Sequence, residues 1–246
     1  MKKVFAGVIV GLALGAVSAV SALDMSVGGG ASFTGNFGGG FSTPEVKYQN
    51  IVLIKELETK MPWMGGVVSG FFDLTYAEIS IGVTAGTGTL SQEILGLNLT
   101  TGQVSYVPND ASFGVVAFDI SLLGKYPIAL SDAVSLAPVV GIDYQSWLAG
   151  GVAIQNIDGS VIEEPGDNSR LWVKFGLGLD YNLNEKVFLR IPVLYGIGLA
   201  NKVEDDAGKV FEQSVEPLKA LGFDIGDSKV LPSNGLTLGV SVGFRL

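Results

Sequence analysis

The chain contains no cysteine and no histidine. Without cysteine there can be no disulfide, no thiolate metal site and no lipid-modified cysteine of the lipoprotein type. Without histidine, the commonest metal ligand and the side chain most used for general acid–base catalysis are missing. Charge is also scarce. Only 16% of residues are charged, with 15 basic against 24 acidic. Nucleic-acid binding needs basic patches that neutralise phosphates, so nucleic acid is not an expected partner. No segment after the first twenty-odd residues offers a run of apolar residues long enough for a membrane-spanning helix.

Apolar residues and glycine are abundant. Hydrophobic residues make up 48% of the 246 residues, glycine occurs 35 times, and the mean hydropathy is +0.44. That is greasy for a water-soluble chain of ordinary composition. The length fits one closed β-barrel, so a second domain is not required.

Residues 1–22 carry Lys2 and Lys3, an apolar stretch from Val4 to about Val17, and the small-residue exit Val20-Ser21-Ala22. This is the layout of a secretory signal peptide with cleavage after Ala22. An uncleaved anchoring helix is the alternative, but the apolar stretch is short for a span. Loss of the two lysines takes the formal charge from −9 to −11. The expected division is therefore a leader, 1–22, and a single barrel domain, 23–246. An exported, greasy chain without a spanning helix must bury its apolar surface in a core or present it to lipid as a closed barrel.

The mature chain alternates with a period of two. From Val27 to Phe41 the odd positions include Val27, Ala31, Phe33, Phe37 and Phe41, while the even ones are Gly28, Gly30, Ser32, Thr34, Asn36, Gly38 and Gly40. The end repeats the pattern with opposite parity, placing Leu236, Leu238, Val240, Val242, Phe244 and Leu246 on one face. Between lie six further strands, about 65–75, 78–87, 112–123, 134–147, 170–181 and 187–199. The connections alternate between long ones, about 42–64, 88–111, 148–169 and 200–235, and short ones. Short turns on the periplasmic side and long loops outside are the habit of outer-membrane barrels. The expected fold is all-β: a transmembrane antiparallel up-and-down barrel of about eight strands with four long extracellular loops. A soluble ligand-binding calyx would also alternate. Against it stand the long apolar faces and the aromatics near their ends (Phe33, Phe37, Phe41, Tyr144, Tyr181, Tyr195, Phe244), where interface girdles belong.

At this point the chain resembles the small outer-membrane β-barrel proteins, the OmpX- and OmpW-like group and the barrel portion of OmpA-type proteins. The most specific piece is the end, Gly239-Val240-Ser241-Val242-Gly243-Phe244-Arg245-Leu246. It is similar to the signal such barrels present to their insertion machinery, with Gly239, Val242, Phe244 and Leu246 in the matching places. That signal commonly closes on an aromatic, whereas here Phe244 lies two positions early. The resemblance implies residence in the bacterial outer membrane, with membrane lipid and the insertion machinery as partners. Enzymes of this architecture use histidine in their catalytic sets, so their chemistry does not carry over to this chain. A non-enzyme without cofactor is expected.

The charges on the less apolar face form the one constellation with a mechanism. Asp73, Glu78, Asp119, Asp180, Arg190 and Arg245 fall in the periplasmic half, and Asp143, Arg170 and Lys174 nearer the outside. Asp180 and Arg190 lie at equal distances from a short turn and can face one another across a hairpin. An eight-stranded barrel is just wide enough for side chains to fill it, so these nine residues are expected as a polar network in the lumen; a conducting path is the alternative. Gly28-Gly29-Gly30 and Gly86-Thr87-Gly88 are not phosphate loops, since no lysine and helix start follow. Asp158-Gly159 reads as a turn, Asp205-Asp206 as a solvated acidic patch, 210–221 as a short amphipathic helix broken at Pro217, and 51–60 as helix or strand extension. Three functions are open: a surface protein displaying its loops to host molecules or other cells, a structural protein whose barrel fills and stiffens the envelope, or a narrow channel for small, apolar compounds of the kind the OmpW-like resemblance implies.

Protein recovered from the bacterial envelope is predicted to begin at about Leu23 on N-terminal sequencing. Recovery with Met1 intact would contradict the leader.

Overall fold

The computed structural model describes residues 24–97, 104–149, 154–155, 161–162, 169–202, 205, 208–209, 212 and 216–246. The leader 1–22 and Asp158-Gly159 lie outside the described residues, as does Asp206. Among the described residues no helix is long and apolar enough to cross a membrane.

Eight strands form a closed antiparallel barrel: β1 Met25–Asn36, β2 Trp63–Leu74, β3 Ala77–Leu97, β4 Val104–Lys125, β5 Val134–Ala149, β6 Ser169–Asn182, β7 Val187–Asn201 and β8 Asn234–Arg245. Each strand pairs with its sequence neighbour, and β1 closes on β8 from Ser26↔Arg245 to Asn36↔Gly235. Closure removes the free edges that an open sheet exposes. The β7–β8 register is interrupted between Arg190↔Ser241 and Val193↔Leu238, where Pro192 has no N–H to donate.

The alternation in the sequence decides which face is outside. Phe33, Val68, Ile81, Val140, Phe175, Val193 and Val240 are all exposed, with Val68 as much as 71%. In water so continuous an apolar skin would drive aggregation, whereas against lipid it is satisfied, and a closed barrel leaves no ladder group unpaired. Phe72, Tyr76, Tyr126, Tyr181 and Phe244 are exposed toward the short-turn end, with Tyr76 and Tyr126 stacked at 6.2 Å. Amphipathic rings suit a membrane–water boundary.

Several expectations are corrected. β1 leaves the wall after Asn36 instead of running to Phe41. Gly39 and Gly40 take φ of 89° and 132°, a conformation open to glycine, and turn the chain inward over the barrel mouth. Phe41 is therefore buried and belongs to no girdle. The second long connection, expected over 88–111, is instead a β-ribbon continuing β3 and β4, paired from Gly88↔Phe113 out to Leu97↔Val104. At about 3.3 Å per residue it projects some 30 Å beyond the rim. Over 51–60, where the sequence leaves helix and strand both open, the chain takes the strand alternative, as Ile51–Ile54 and Leu57–Lys60. Of 210–221, residues 210–211 and 213–215 lie outside the described residues, and Glu216–Leu221 is a 3-10 helix with no buried residue.

The long connections are knitted into a cap. Gly40–Thr43 lies between Leu57–Lys60 and Lys229–Val230, and a small sheet joins Val46–Tyr48 to Ile51–Ile54 and Asp224–Ile225. Backbone bonds from Gly39 N to Pro232 O (2.8 Å), Leu231 N to Gly40 O (2.9 Å) and Thr89 N to Pro62 O (3.0 Å) tie the first, second and fourth connections together. Lys229 pairs with Glu56 at 3.1 Å and Lys55 with Glu93 at 2.8 Å.

The two faces should respond oppositely to substitution. Arginine at the lipid-facing Val193 costs on the order of 2–4 kcal/mol at the bilayer midplane. A Cβ at the lumen-facing Gly178 meets only Val139 Cγ2 at 3.8 Å and the Ala137 carbonyl at 3.9 Å. Val193→Arg is thus predicted to lower the yield of refolding into lipid vesicles and Gly178→Ser to leave it unchanged; equal tolerance would contradict the orientation of the faces.

Candidate functional site: a lumen closed at both ends

The inward positions form three tiers. Nearest the short turns stands Arg190, on β7. Its Nε and Nη2 donate to Asp180 Oδ1 and Oδ2, both at 2.7 Å, in the two-pronged geometry that matches guanidinium to carboxylate. This is the pair facing across the β6–β7 hairpin. Nη2 also reaches Asp73 Oδ2 at 2.7 Å, and Nη1 bonds Glu78. Lys125 bonds the same Asp73 oxygen, and Ser26 Oγ approaches it at 3.5 Å. The rings of Phe71 and Phe188, 6.4 Å apart, lie against the guanidinium at 5.0 and 5.1 Å. Three carboxylates and two cations thus tie β2, β3, β4, β6 and β7 at one level, with the Arg190, Asp73 and Lys125 side chains each under 10% exposed.

The middle tier is built on Asp119 and Asp143. Thr84 Oγ1 donates to Asp119 Oδ2 at 2.5 Å and Gln145 Nε2 to Asp119 Oδ1 at 2.8 Å. Lys174 pairs with Asp143 Oδ2 at 2.8 Å, and Ser121 donates to Asp143 Oδ1. Trp147 Nε1 donates to Gln145 Oε1 at 3.0 Å and connects this tier to the one above.

The upper tier is apolar. Phe41, Met61, Trp63, Val115, Ala117 and Trp147 form a buried cluster with Phe113 against it. Trp63 meets Trp147 edge to face at 6.1 Å, and the fully buried Arg170 guanidinium lies 4.2 Å from the Trp147 ring centre. Phe41 and Met61 come from the first long connection, so the mouth is stoppered by chain that has folded back into it.

The residues expected in one network therefore fall into separate groups. Asp73, Glu78, Asp180 and Arg190 meet in the lowest tier. Asp119 joins Asp143 and Lys174 instead, because strand stagger places it opposite Gln145. Arg170 sits at the mouth. Arg245 is outside the network at the turn rim, where it donates to Asn182 and to the Glu185 carbonyl and packs over Phe188 at 5.2 Å. Lys125 escaped the sequence reading because it lies beyond the expected strand end at 123. Gly239 faces the lumen, whereas Val242 and Phe244 face outward, and Leu246 N bonds the Met25 carbonyl at 2.9 Å. Among the described residues no three potential ligand side chains converge in a metal-holding geometry.

Between the lowest tier and the stopper lies a cavity of about 130 Å³. One side is walled by the Asp119, Asp143, Lys174 and Gln145 side chains, and the other is nearly bare, formed by Gly30, Gly35, Gly196, Gly235 and Gly239. The chain is thus a small transmembrane β-barrel of eight strands with a filled, charge-bearing lumen.

No protein-family model matches the sequence, and no curated protein matches it. Among solved structures it is similar to the outer membrane protein OprG from Pseudomonas aeruginosa, at 10% identity over 92% of this chain and 96% of that one, TM-score 0.43. It is similar to the outer membrane protease OmpT from Escherichia coli, at 6% identity over 92% and 98%, TM-score 0.42. A third is Neisserial surface protein A, at 8% identity over 90% and 97%, TM-score 0.39.

Removing one member of a buried ion pair leaves an orphaned charge and typically costs about 3–5 kcal/mol. Arg190→Ala is predicted to cost that much on urea unfolding in detergent. Because Arg190 holds three acids, adding Asp180→Ala should restore only part of the loss and further adding Glu78→Gln should restore more. Complete restoration by Asp180→Ala alone would reduce the tier to a simple pair.

Proposed function

We propose that this chain is a non-enzymatic bacterial outer-membrane protein whose sealed barrel anchors a folded cap for contact with host molecules or other cells. The observation that carries this reading is the double closure of the lumen. Ions would have to cross the Arg190 tier at one end and the aromatic stopper at the other, and every charge of the lowest tier is bonded to a partner of opposite sign. A buried network in which every charge has an opposite partner rigidifies a core rather than opening it, although Asp73 Oδ1 itself has no hydrogen-bond partner among the described residues.

The cap supports display. Its elements are hydrogen-bonded to one another rather than trailing from the rim, and recognition commonly resides on segments held by a rigid scaffold. At its tip Gln49 and Asn50, with φ of 50° and 65°, turn a hairpin that leaves Tyr48, Ile51 and Val52 exposed. Tyr48 packs on Phe223 at 5.2 Å, beside exposed Leu221. Outer-membrane lipid covers the apolar wall, and the insertion machinery reads the outward Val242 and Phe244 during assembly. The channel reading, for small apolar compounds, would require the stopper to leave the mouth.

Two measurements test the proposal. Purified protein in planar bilayers is expected to carry no steady single-channel current. On intact cells a membrane-impermeant thiol reagent is expected to label Ser112→Cys, at the base of the ribbon. Steady currents would overturn the sealed barrel, and an unlabelled Ser112→Cys in folded protein would overturn display on the outside.

A further inference from the structure

The cavity between the tiers has polarity of its own. At its upper end Asn36 and Trp63 are register partners on β1 and β2, and both line it. Asn36 is 1% exposed and Trp63 4%. The Gly38 N–H donates to Asn36 Oδ1 at 3.2 Å, which fixes the amide with Nδ2 as a free donor. Neither Asn36 Nδ2 nor Trp63 Nε1 has an acceptor among the described residues. Two buried donors without a partner are costly to leave so, and here they stand side by side at one end of a hollow.

The opposite wall offers the complement. Of the carboxylates facing the cavity, Asp143 pairs with Lys174, and Glu78 and Asp180 with Arg190. Asp119 makes no ion pair among the described residues; its oxygens accept only the neutral donors Thr84 and Gln145. The cavity is thus lined by four acids, Glu78, Asp119, Asp143 and Asp180, against the three cations Lys125, Lys174 and Arg190. Asp73, bonded to Lys125 and Arg190 behind this lining, is a fifth acid, so the two lower tiers carry two surplus negative charges and a cation at Asp119 would offset one of them. Between the two ends the bare glycine wall faces the Trp172 ring, which lies 3.3 Å from where a Gly196 Cβ would stand. Trp172 packs on Gly196 and Gly235, so its ring and the glycine backbone together give the cavity an apolar flank that suits an alkyl segment. An apolar cavity of about 150 Å³ admits benzene, so the volume here fits a molecule of roughly five or six heavy atoms.

From these features we infer that the lumen is a binding site for a small aliphatic ammonium compound bearing one hydrogen-bond-accepting oxygen, an amino alcohol in chemical class. The ammonium lies at Asp119, where a charge-assisted bond forms in a water-poor interior, and the oxygen accepts from Asn36 Nδ2 and Trp63 Nε1. Anions are disfavoured by the acidic surplus. Purely apolar molecules leave both donors and Asp119 unanswered.

The test uses the full mature chain refolded in detergent in the presence of ethanolamine, aminobutanol or aminohexanol, with butylamine and butanediol as the probes lacking oxygen and ammonium. Binding is read by native mass spectrometry as compound retained after free ligand is removed, across a range of ligand concentrations during refolding, and folding of every variant by its heat-dependent shift on gels. At least one amino alcohol is expected to bind saturably, and about tenfold more tightly than butylamine or butanediol, as the loss of one charged or paired hydrogen bond implies. Asp119→Asn keeps an oxygen to accept from Gln145 Nε2 and places an amide that donates to the Thr84 hydroxyl, and Trp63→Phe keeps a ring against Trp147. Each is expected to weaken binding about tenfold in folded protein. Absence of saturable binding by all three amino alcohols overturns the inference. So does binding that is indifferent to Asp119→Asn and Trp63→Phe, or equal for butylamine and the amino alcohols.

Discussion

One guanidinium sets the terms for the lower half of the barrel. A charge inside a narrow protein cylinder surrounded by lipid is far from bulk water, so it persists only where partners replace its hydration. Arg190 meets that demand with Asp180, Asp73 and Glu78, and Asp73 in turn engages Lys125. The adjoining rings of Phe71 and Phe188 then pack against the guanidinium. Those rings need room, and the wall provides it. A Cβ on Gly28 would fall 2.4 Å from the Phe71 ring, and one on Gly243 would fall 2.1 Å from the Phe188 ring. The glycines beside the β1–β8 seam therefore follow from the ring packing around the arginine, and bulkier residues there would displace the two rings.

The same reasoning explains what was legible in the sequence. Strict alternation at Leu171–Tyr181 and Val187–Leu199 marks β6 and β7 because each of these strands separates lipid from lumen and every second residue must be apolar. Asp180 and Arg190 could be paired from spacing alone, since a short turn fixes the register of a hairpin. Contacts between strands distant in sequence could not. That Asp73 and Glu78 reach Arg190 depends on closure and stagger, which alternation does not encode. Phe41 misled for a related reason. Its parity continued that of β1, and only the left-handed backbone at Gly39 and Gly40 shows that the chain has left the wall. The ribbon over 88–111 was hidden because strands outside lipid need no apolar face, so Ser91, Gln92, Asn109 and Asp110 read as loop.

Stopper and cap are one construction. Phe41 and Met61, which fill the mouth, stand at either end of the excursion that forms the hairpin sheet, and Gly40–Thr43 and Leu57–Lys60 pair just above them. Closing the lumen and ordering the cap are thus coupled through the same backbone: displacing Met61 would also loosen the strands that support the exposed tip. This coupling makes a sealed barrel with a rigid display surface a consistent whole, with the small cavity enclosed between its two closures.

The central claim is that water-borne molecules do not traverse the lumen. The absence of native cysteine makes it directly measurable, because one introduced thiol is the only one in the molecule. Ser80 lines the cavity, whereas Ser112 is exposed on the ribbon. In protein reconstituted into lipid vesicles, the reaction rate of a bulky water-soluble maleimide would be compared between Ser80→Cys and Ser112→Cys. Labelling of Ser80→Cys slower by about two orders of magnitude, the expected size of a barrier of a few kcal/mol, is the predicted result. Equal rates in folded protein would show an open lumen and contradict the account.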